Sequence, residues 1–472
     1  MKLTRRTALR RGGAAVALGA LAGCLSEPGD DTENGSGNES GENAISGYAA
    51  FFALWDWSNQ IVGDHGAFEN PVDVGEMGHG WNPGGDLTRD VAETDAFVYL
   101  DTPEFSWAQD LAAQLEAEEE SVDSTVIDGM AGLTADQLLP FSTGERPDPD
   151  EEYTVDPSNV QVDGFDIIDP RTGETVAYWH VDHWDGGLPD VPLEGSMRFE
   201  AVVEVDGGHV IPLGGDEDVQ LDARLGDGAP DEMVDIESHG DAVELHGIDV
   251  GRTLVVFELR QDGDVLWDSS ADTLSVDVSD DIDPADATEF HDPHVWADPV
   301  LAANIVDAIA DGLAEVSPDD AETFEANADA YNERLSAVDE QFQATVDDAQ
   351  LDIAVFAGHD SFRYLEHRYG FDLHSPIGVS PDESPSPSEI AETIELVNEN
   401  AIDTILYDPF EAGDGEVPPL AETIVEDSSA TEVAPLTPAE GTLPDWDDRG
   451  WGWVEQMEEI TLPSLRAALK AE

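Results

Sequence analysis

From residue 44 to about residue 132, short continuous apolar runs alternate with segments of helical spacing. Ile45 to Trp57 is apolar and aromatic and leads into Asn59-Gln60-Ile61-Val62, as a strand followed by a helix would. Asp86 to Thr94 has helical spacing, and Ala96-Phe97-Val98-Tyr99-Leu100 is an unbroken apolar run, the mark of a strand buried on both faces. A second amphipathic helix is predicted from Ser106 to Glu120 and a further strand from Ser124 to Met130. Alternation of this kind predicts one doubly wound α/β lobe.

The texture changes near residue 140. Gly, Pro and Asp turns then separate alternating runs such as Ala177-Tyr178-Trp179-His180-Val181 and Thr253-Leu254-Val255-Val256-Phe257-Glu258-Leu259. Seven or so strands at that spacing predict an inserted β-sandwich of immunoglobulin-like type. After Asp298 the period becomes helical for about fifty residues, with Ala302, Ile305, Ile309, Leu313, Phe324, Ala328, Tyr331, Leu335, Val338 and Phe342 on one side. Pro318 is placed to begin a new helix within it. Apolar strands at Ile353 to Ala357 and Ile402 to Tyr407, then an amphipathic helix from Val454 to Leu469, predict a second α/β lobe.

Charge changes the picture outside the core. The 472 residues carry 18 Lys+Arg against 107 Asp+Glu, a formal charge of −89. Such a surface repels nucleic acid and anionic lipid, so nucleic-acid binding is excluded. Apolar periodicity continues to the end of the chain, which separates it from an acidic disordered chain. The expectation is a halophilic protein, folded in molar salt, where screening relieves its self-repulsion.

The first residues are the exception. Met1-Lys2-Leu3-Thr4-Arg5-Arg6 is basic, residues 12–22 are apolar, and Leu21-Ala22-Gly23-Cys24 follows. This is the form of an export signal too short to span a membrane, with paired arginines that point to the twin-arginine route. Leu-Ala-Gly-Cys resembles a lipobox, so Cys24, the one cysteine of the chain, is the expected lipidation site. Beyond it, a Gly, Asp, Glu, Asn and Ser stretch to about residue 46 reads as a flexible tether.

Three histidines carry the candidate chemistry: His79 in Gly-Glu-Met-Gly-His-Gly-Trp, His294 in His-Asp-Pro-His-Val-Trp-Ala-Asp-Pro, and His359 in Ala-Gly-His-Asp-Ser-Phe. A histidine in a turn is ordinarily solvated or hydrogen-bonded. Three converging imidazoles, however, would hold Zn²⁺ with one position left over. His291 is a helix-entry or supporting residue in this reading, while Asp298 and Asp360 are helix caps or carboxylates orienting imidazoles. His180, His183, His209, His239 and His246 fall in the β-region, which is either an auxiliary metal collector or a recognition or stability module. Trp81, Trp446, Trp451 and Trp453 are expected to pack in lobe cores or interfaces rather than line a cleft.

Taken together, the lipobox, the Gly-His turn, Asp-Pro-His-Val-Trp-x-Asp-Pro before a long helix and Ala-Gly-His-Asp-Ser-Phe resemble the solute-binding lipoproteins of zinc and manganese ABC importers, the ZnuA-like or TroA-like family. The resemblance covers residues 46–135 and 284–470. It implies two α/β lobes joined by a long helix, metal held between them by His79, His294 and His359, and delivery to an ABC permease and its ATPase. Members place an Asp in a Leu-Asp-Pro-Leu-like turn where this chain has Leu436-Thr437-Pro438-Ala439, so the fourth position falls to water or to Asp408 after the strand ending at Tyr407. Three neutral imidazoles favour Zn²⁺ over Mn²⁺.

The implied organisation is signal 1–24, acidic linker 25–45, N-terminal lobe 46–139, inserted sandwich 140–283, metal-ligand loop and connector helix 284–350, and C-terminal lobe 351–472. The location that follows is the extracellular face of the cytoplasmic membrane, lipid-anchored after export. Two other functions fit parts of the pattern. Three histidines and a water also make a catalytic zinc site, although no His-Glu-x-x-His signature or paired base supports a hydrolase. The β-domain alone would suit a surface adhesion lipoprotein.

Overall fold

Ile45–Ala49 (β1) alternates buried and outward residues and runs into the helix Phe52–Val62 (α1), most of which is buried. Gly66–Glu69 (β2), Ala96–Tyr99 (β3) and Thr125–Asp128 (β4) complete a sheet in the order β2-β1-β3-β4, with every pair parallel. Leu87–Ala92 (α2) and Ser106–Ala117 (α3) are the helices expected there. β2 escapes the sequence pattern because only Phe68 of its four residues is buried. Its ring packs against Gly47, where a Cβ would stand 2.2 Å from it.

The computed structural model describes residues 44–471 apart from 79–80, 82, 103–104, 118–121, 123, 135–136, 140–148, 151–152, 156, 158–159, 172–173, 181–182, 194, 206–208, 216, 227, 231–232, 262, 280–290, 378–384, 386 and 412–416. The expected export signal with Cys24, the linker up to residue 43 and the candidate ligand His79 lie outside the described residues.

Twelve strands follow among the described residues rather than seven or so. They are Val162–Asp169 (β5), Glu174–His180 (β6), His183–Gly186 (β7), Val191–Pro192 (β8), Ser196–Val205 (β9), His209–Val210 (β10), Gln220–Leu225 (β11), Val234–Ser238 (β12), Ala242–Gly247 (β13), Gly251–Gln261 (β14), Asp264–Asp268 (β15) and Leu274–Ser279 (β16). One sheet runs β12-β13-β9-β5-β6-β7 with β10 on β9; the other runs β11-β14-β16-β8 with β15 on β14. Phe165, Phe199, Val203 and Leu245 from the first meet Val255, Phe257, Leu259 and Val276 from the second in a single core, so the sheets form a sandwich. The extra strands include β8 and β10, two residues each, too short to show a period of two.

Asp298 then caps the helix Pro299–Val316 (α4), accepting from the amides of Val300 at 2.8 Å and Leu301 at 3.1 Å. A turn leads to Ala321–Asp347 (α5), which begins three residues past Pro318 and, at 27 residues, is about 40 Å long. All ten positions expected on the apolar side of these helices are buried. Near its start α5 meets the first lobe, where Asn327 donates to the Ile61 carbonyl at 2.8 Å. Near its end Thr345 accepts from Arg466 at 3.0 Å.

The second lobe repeats the topology of the first. Ile353–Ala357 (β17), Asp372–His374 (β18), Thr404–Tyr407 (β19) and Glu432–Pro435 (β20) lie in the order β18-β17-β19-β20, again all parallel. Arg363–Tyr369 (α6), Pro387–Asn400 (α7) and Pro419–Asp427 (α8) connect them. The fold is therefore α/β, with two equivalent parallel sheets and a β-sandwich between them in sequence. One hydrophobic core contains Phe51 and Trp57 of the first lobe together with Phe356 and Leu406 of the second. Trp453 seals it: its indole donates to the Trp296 carbonyl at 3.0 Å, and its amide to the buried Asp56 at 2.8 Å. Among the described residues no helix is long and apolar enough to cross a membrane.

Candidate metal centre

His294 sits at the entry to a single 3-10 turn, Val295–Ala297, that leads into α4. Trp296 within this turn is fully buried against Phe51 and Phe105 of the first lobe, with ring centroids 4.9 and 5.6 Å away. Across the molecule, Asp292 is held by the second lobe. Its carboxylate accepts from Arg363 at 3.2 Å, and its carbonyl from the Tyr364 hydroxyl at 2.8 Å. The Asp292 Oδ1 then accepts the His294 amide at 3.0 Å and stands 3.0 Å from the imidazole Nδ1. Both side chains are fully buried. A carboxylate on Nδ1 fixes the ring and its tautomer, and leaves chemistry to Nε2.

His359 follows the carboxyl end of β17 and is fully buried. Its ring centroid lies 5.4 Å from that of His294, at an angle of 45°. Asp408 follows the carboxyl end of β19, and its Oδ2 lies 3.9 Å from His359 Nδ1. Asp408 Oδ1 accepts the Phe410 amide at 2.8 Å, while Oδ2 is buried without a hydrogen-bond partner. Burial pushes this carboxyl up to about 7, and the Glu440 charge adds to the effect. Glu411 is pushed up to about 8, by burial first and then by Asp408, against the opposing His359 backbone bond. Crowded buried carboxylates of this kind are what a divalent cation stabilises.

Glu440 is the residue the sequence did not disclose. It is 1% exposed and lies in the loop that follows β20. Ala439 before it has φ 61°, a left-handed conformation that costs a non-glycine residue about 1 kcal/mol. The strain is held by a pinned loop: Thr437 Oγ1 accepts the Ala439 amide at 3.0 Å, and Gln456 donates to the Gly441 carbonyl at 3.1 Å. A Cβ on Gly441 would meet the Glu76 carbonyl oxygen at 2.4 Å, so the loop closes directly on the first lobe. Its one signal in the sequence is an acid three residues after Thr437, just past the stretch that matches the Leu-Asp-Pro-Leu-like turn.

Of the expected residues, the structure brings together His294, His359 and Asp408, and says nothing of His79. Gly78, its neighbour, is described, and a Cβ there would lie 2.8 Å from the Cβ of Phe51, whose ring packs on Trp296. Among the described residues no group of three or more His, Cys, Asp or Glu is arranged to hold an ion. Of the two roles expected for Asp298 and Asp360, Asp298 takes that of helix cap, on α4, and also pairs with Arg368; the orientation of His294 belongs to Asp292. Asp360, pushed up to about 6 by burial and the Asp292 charge, lies 3.9 Å from Arg363. The tryptophans pack as expected, Trp81 on Trp107 at 5.0 Å and Trp446 on Phe410 at 5.9 Å.

Residues 238–461 match the ZnuA family model, zinc-uptake complex component A, periplasmic. The ZnuA match begins in the sandwich and includes His294, His359, Asp408 and Glu440. The zinc-binding lipoprotein AdcA of Streptococcus pneumoniae is 36% identical over 169 residues, which are 36% of this chain and 32% of that protein. The high-affinity zinc uptake system protein ZnuA of Bacillus subtilis is 29% identical over 179 residues, 38% of this chain and 53% of that protein. The matches thus span about a third to a half of these relatives. Among solved structures, the laminin-binding adhesin Lmb of Streptococcus agalactiae superposes with a TM-score of 0.52 at 16% identity, over 90% of this chain and 100% of that one. Streptococcus pneumoniae AdcAII gives 0.51 at 17%, over 91% and 99%. These likenesses establish the α/β fold.

Proposed function

We propose that this protein is the zinc-capturing component of an ABC importer, a member of the ZnuA family that takes Zn²⁺ between its two lobes and delivers it to a membrane permease and ATPase. The observation that carries the reading is the His294–His359 pair: two fully buried imidazoles from separate segments, centroids 5.4 Å apart, beside crowded carboxylates. In this reading His79 completes the set, on the strength of its Gly-Glu-Met-Gly-His turn motif.

In this reading Asp292 and Asp408 orient His294 and His359 from their Nδ1 sides, and Glu440 supplies the oxygen ligand in place of water or Asp408. Two or three imidazoles with one carboxylate favour Zn²⁺ over Mn²⁺. A filled fourth position suits capture rather than hydrolysis, which needs an open one for water. The core shared by both lobes supports release by local movement rather than by wide hinge opening. Export by the paired arginines and lipidation at Cys24 would hold the protein at the outer face of the cytoplasmic membrane. Its acidic surface suits molar salt.

Elemental analysis of the full chain purified in molar salt without added metal tests the reading. One tightly held zinc per chain, absent from His294→Ala, is expected. Full zinc content in that variant would remove the site.

A further inference from the structure

The structure assigns a positioning role to the Tyr364 hydroxyl: it closes a hydrogen-bonded ring that clamps the two chain ends of the sandwich insertion, and so holds His294 steady against movement of the sandwich. For its consequence in zinc retention this rests on the reading of His294 as a ligand.

Strands β5 to β16 lie between Leu139 and Asp292, and their core shares no residue with the core common to the lobes. Contact with the first lobe includes a polar one, Arg252 of β14 meeting Asp110 of α3 at 3.0 Å. Bodies with separate cores shift relative to one another unless a large apolar interface forbids it. Any such shift acts first on the ends of the insertion.

Both ends arrive beside the metal centre. Leu139 packs on the core of the lobes, and its carbonyl accepts the Asp292 amide at 2.8 Å. Its own amide donates to the Tyr364 hydroxyl at 3.2 Å, and that hydroxyl donates to the Asp292 carbonyl at 2.8 Å. Three residues far apart in the chain thus close one ring. A single hydroxyl is acceptor and donor in it at once, which phenylalanine cannot be. Tyr364 is 3% exposed, and burial pushes its hydroxyl up from the ordinary value, so it keeps the proton it donates.

Asp292 carries the effect to the imidazole. Its backbone is in the ring, and its Oδ2 is held by Arg363, the neighbour of Tyr364 on α6. Its Oδ1 therefore meets His294 Nδ1, 3.0 Å away, from a fixed place. Without the Tyr364 hydroxyl, the Leu139 amide and the Asp292 carbonyl each lose that partner, and the segment that carries His294 can follow the sandwich.

Hydrogen exchange of the His294 Nδ1 proton, followed by magnetic resonance of ring-labelled histidine in the zinc-free full chain in molar salt, tests the assignment. His294→Ala identifies the signal by removing it. Tyr364→Phe should speed this exchange severalfold, while the Trp453 indole proton, bonded to the Trp296 carbonyl, exchanges as before. The same variant loaded with zinc should release it to a chelator about 10- to 100-fold faster. Arg252→Gln, which frees the sandwich from Asp110, should change neither readout while Tyr364 is present and should enlarge both effects of Tyr364→Phe when combined with it. Unchanged His294 exchange in Tyr364→Phe, equal acceleration at Trp453, a response to Arg252→Gln alone, or purely additive effects in the double variant would each overturn the proposal. A chain that shows the expected exchange pattern but holds no zinc leaves the role of Tyr364 standing and removes the zinc function instead.

Discussion

His294 in the crevice and His246 on the sandwich each stand near a carboxylate, yet the first is fully buried and the second 39% exposed. In the crevice, Asp292 is itself fixed by Arg363 and Tyr364, so the imidazole has one orientation before any ion arrives. On the β12–β13 ribbon, His246 lies 3.7 Å from Glu237, and both side chains are open to solvent. The same residue types thus give a preorganised crevice in one place and a solvated ion pair in the other. Burial fixes a donor before a ligand arrives; exposure leaves water to compete for it.

The contrast can be broken most directly at His294. Its replacement by alanine should abolish tight zinc retention, measured as metal content after dialysis in molar salt, while circular dichroism stays unchanged. Glu440→Gln comes next, and should weaken zinc binding by more than about 100-fold, beyond the range for residues that act through a ligand. Competition with a chelator of known affinity measures it, and a smaller loss than in Asp408→Asn would return the oxygen position to Asp408. Asp292→Asn keeps the shape but loses the charge beside Nδ1, and should weaken binding about 10- to 100-fold. The matching change on the ribbon, Glu237→Gln beside the exposed His246, should leave zinc binding unchanged.

A smaller effect separates the regions by pH. Asp166 on β5 is pushed up to about 7 by burial and by the Glu204 charge. Its folded value lies above an unfolded value of about 3.9. The folded state therefore binds the proton more tightly, and stability gained from this group grows as pH falls from about 7 towards about 4, then levels off. Denaturant unfolding across that window should show a shallower pH dependence in Asp166→Asn, with the difference confined to the sandwich. The smallest effect is expected for His209→Ala, whose ring packs on Tyr153: zinc stoichiometry unchanged and only a slight loss of stability.

Strands and helices with a long or clean apolar period were legible in advance. β17 was expected at its observed bounds, and the ten inward positions of α4 and α5 are all buried. Among short elements, β3 and β19 were legible at four residues because every position is buried, whereas β2, β8, β10 and β18, with one or two buried residues each, present neither a period nor an apolar run. At the site, His294 and His359 were singled out through their motifs, and Asp408 only as an alternative to water, from its place after the strand that ends at Tyr407. Asp292 was not singled out, since its role depends on Arg363, 71 positions later, approaching its second oxygen.

Glu440 shows the same limit from the other side. A glutamate after Thr-Pro-Ala is one of 107 acidic residues until a left-handed Ala439 and a loop pinned by Thr437 and Gln456 bury it beside Asp408. By itself the sequence determined the alternation of α/β, β and α/β segments, the acidic character of the surface and the histidine motifs, because these depend on local period and composition. Only the tertiary structure decided which carboxylate faces which imidazole. Those pairings join positions far apart in the chain, and their energies depend on burial and on distances of a few ångströms that no local pattern encodes.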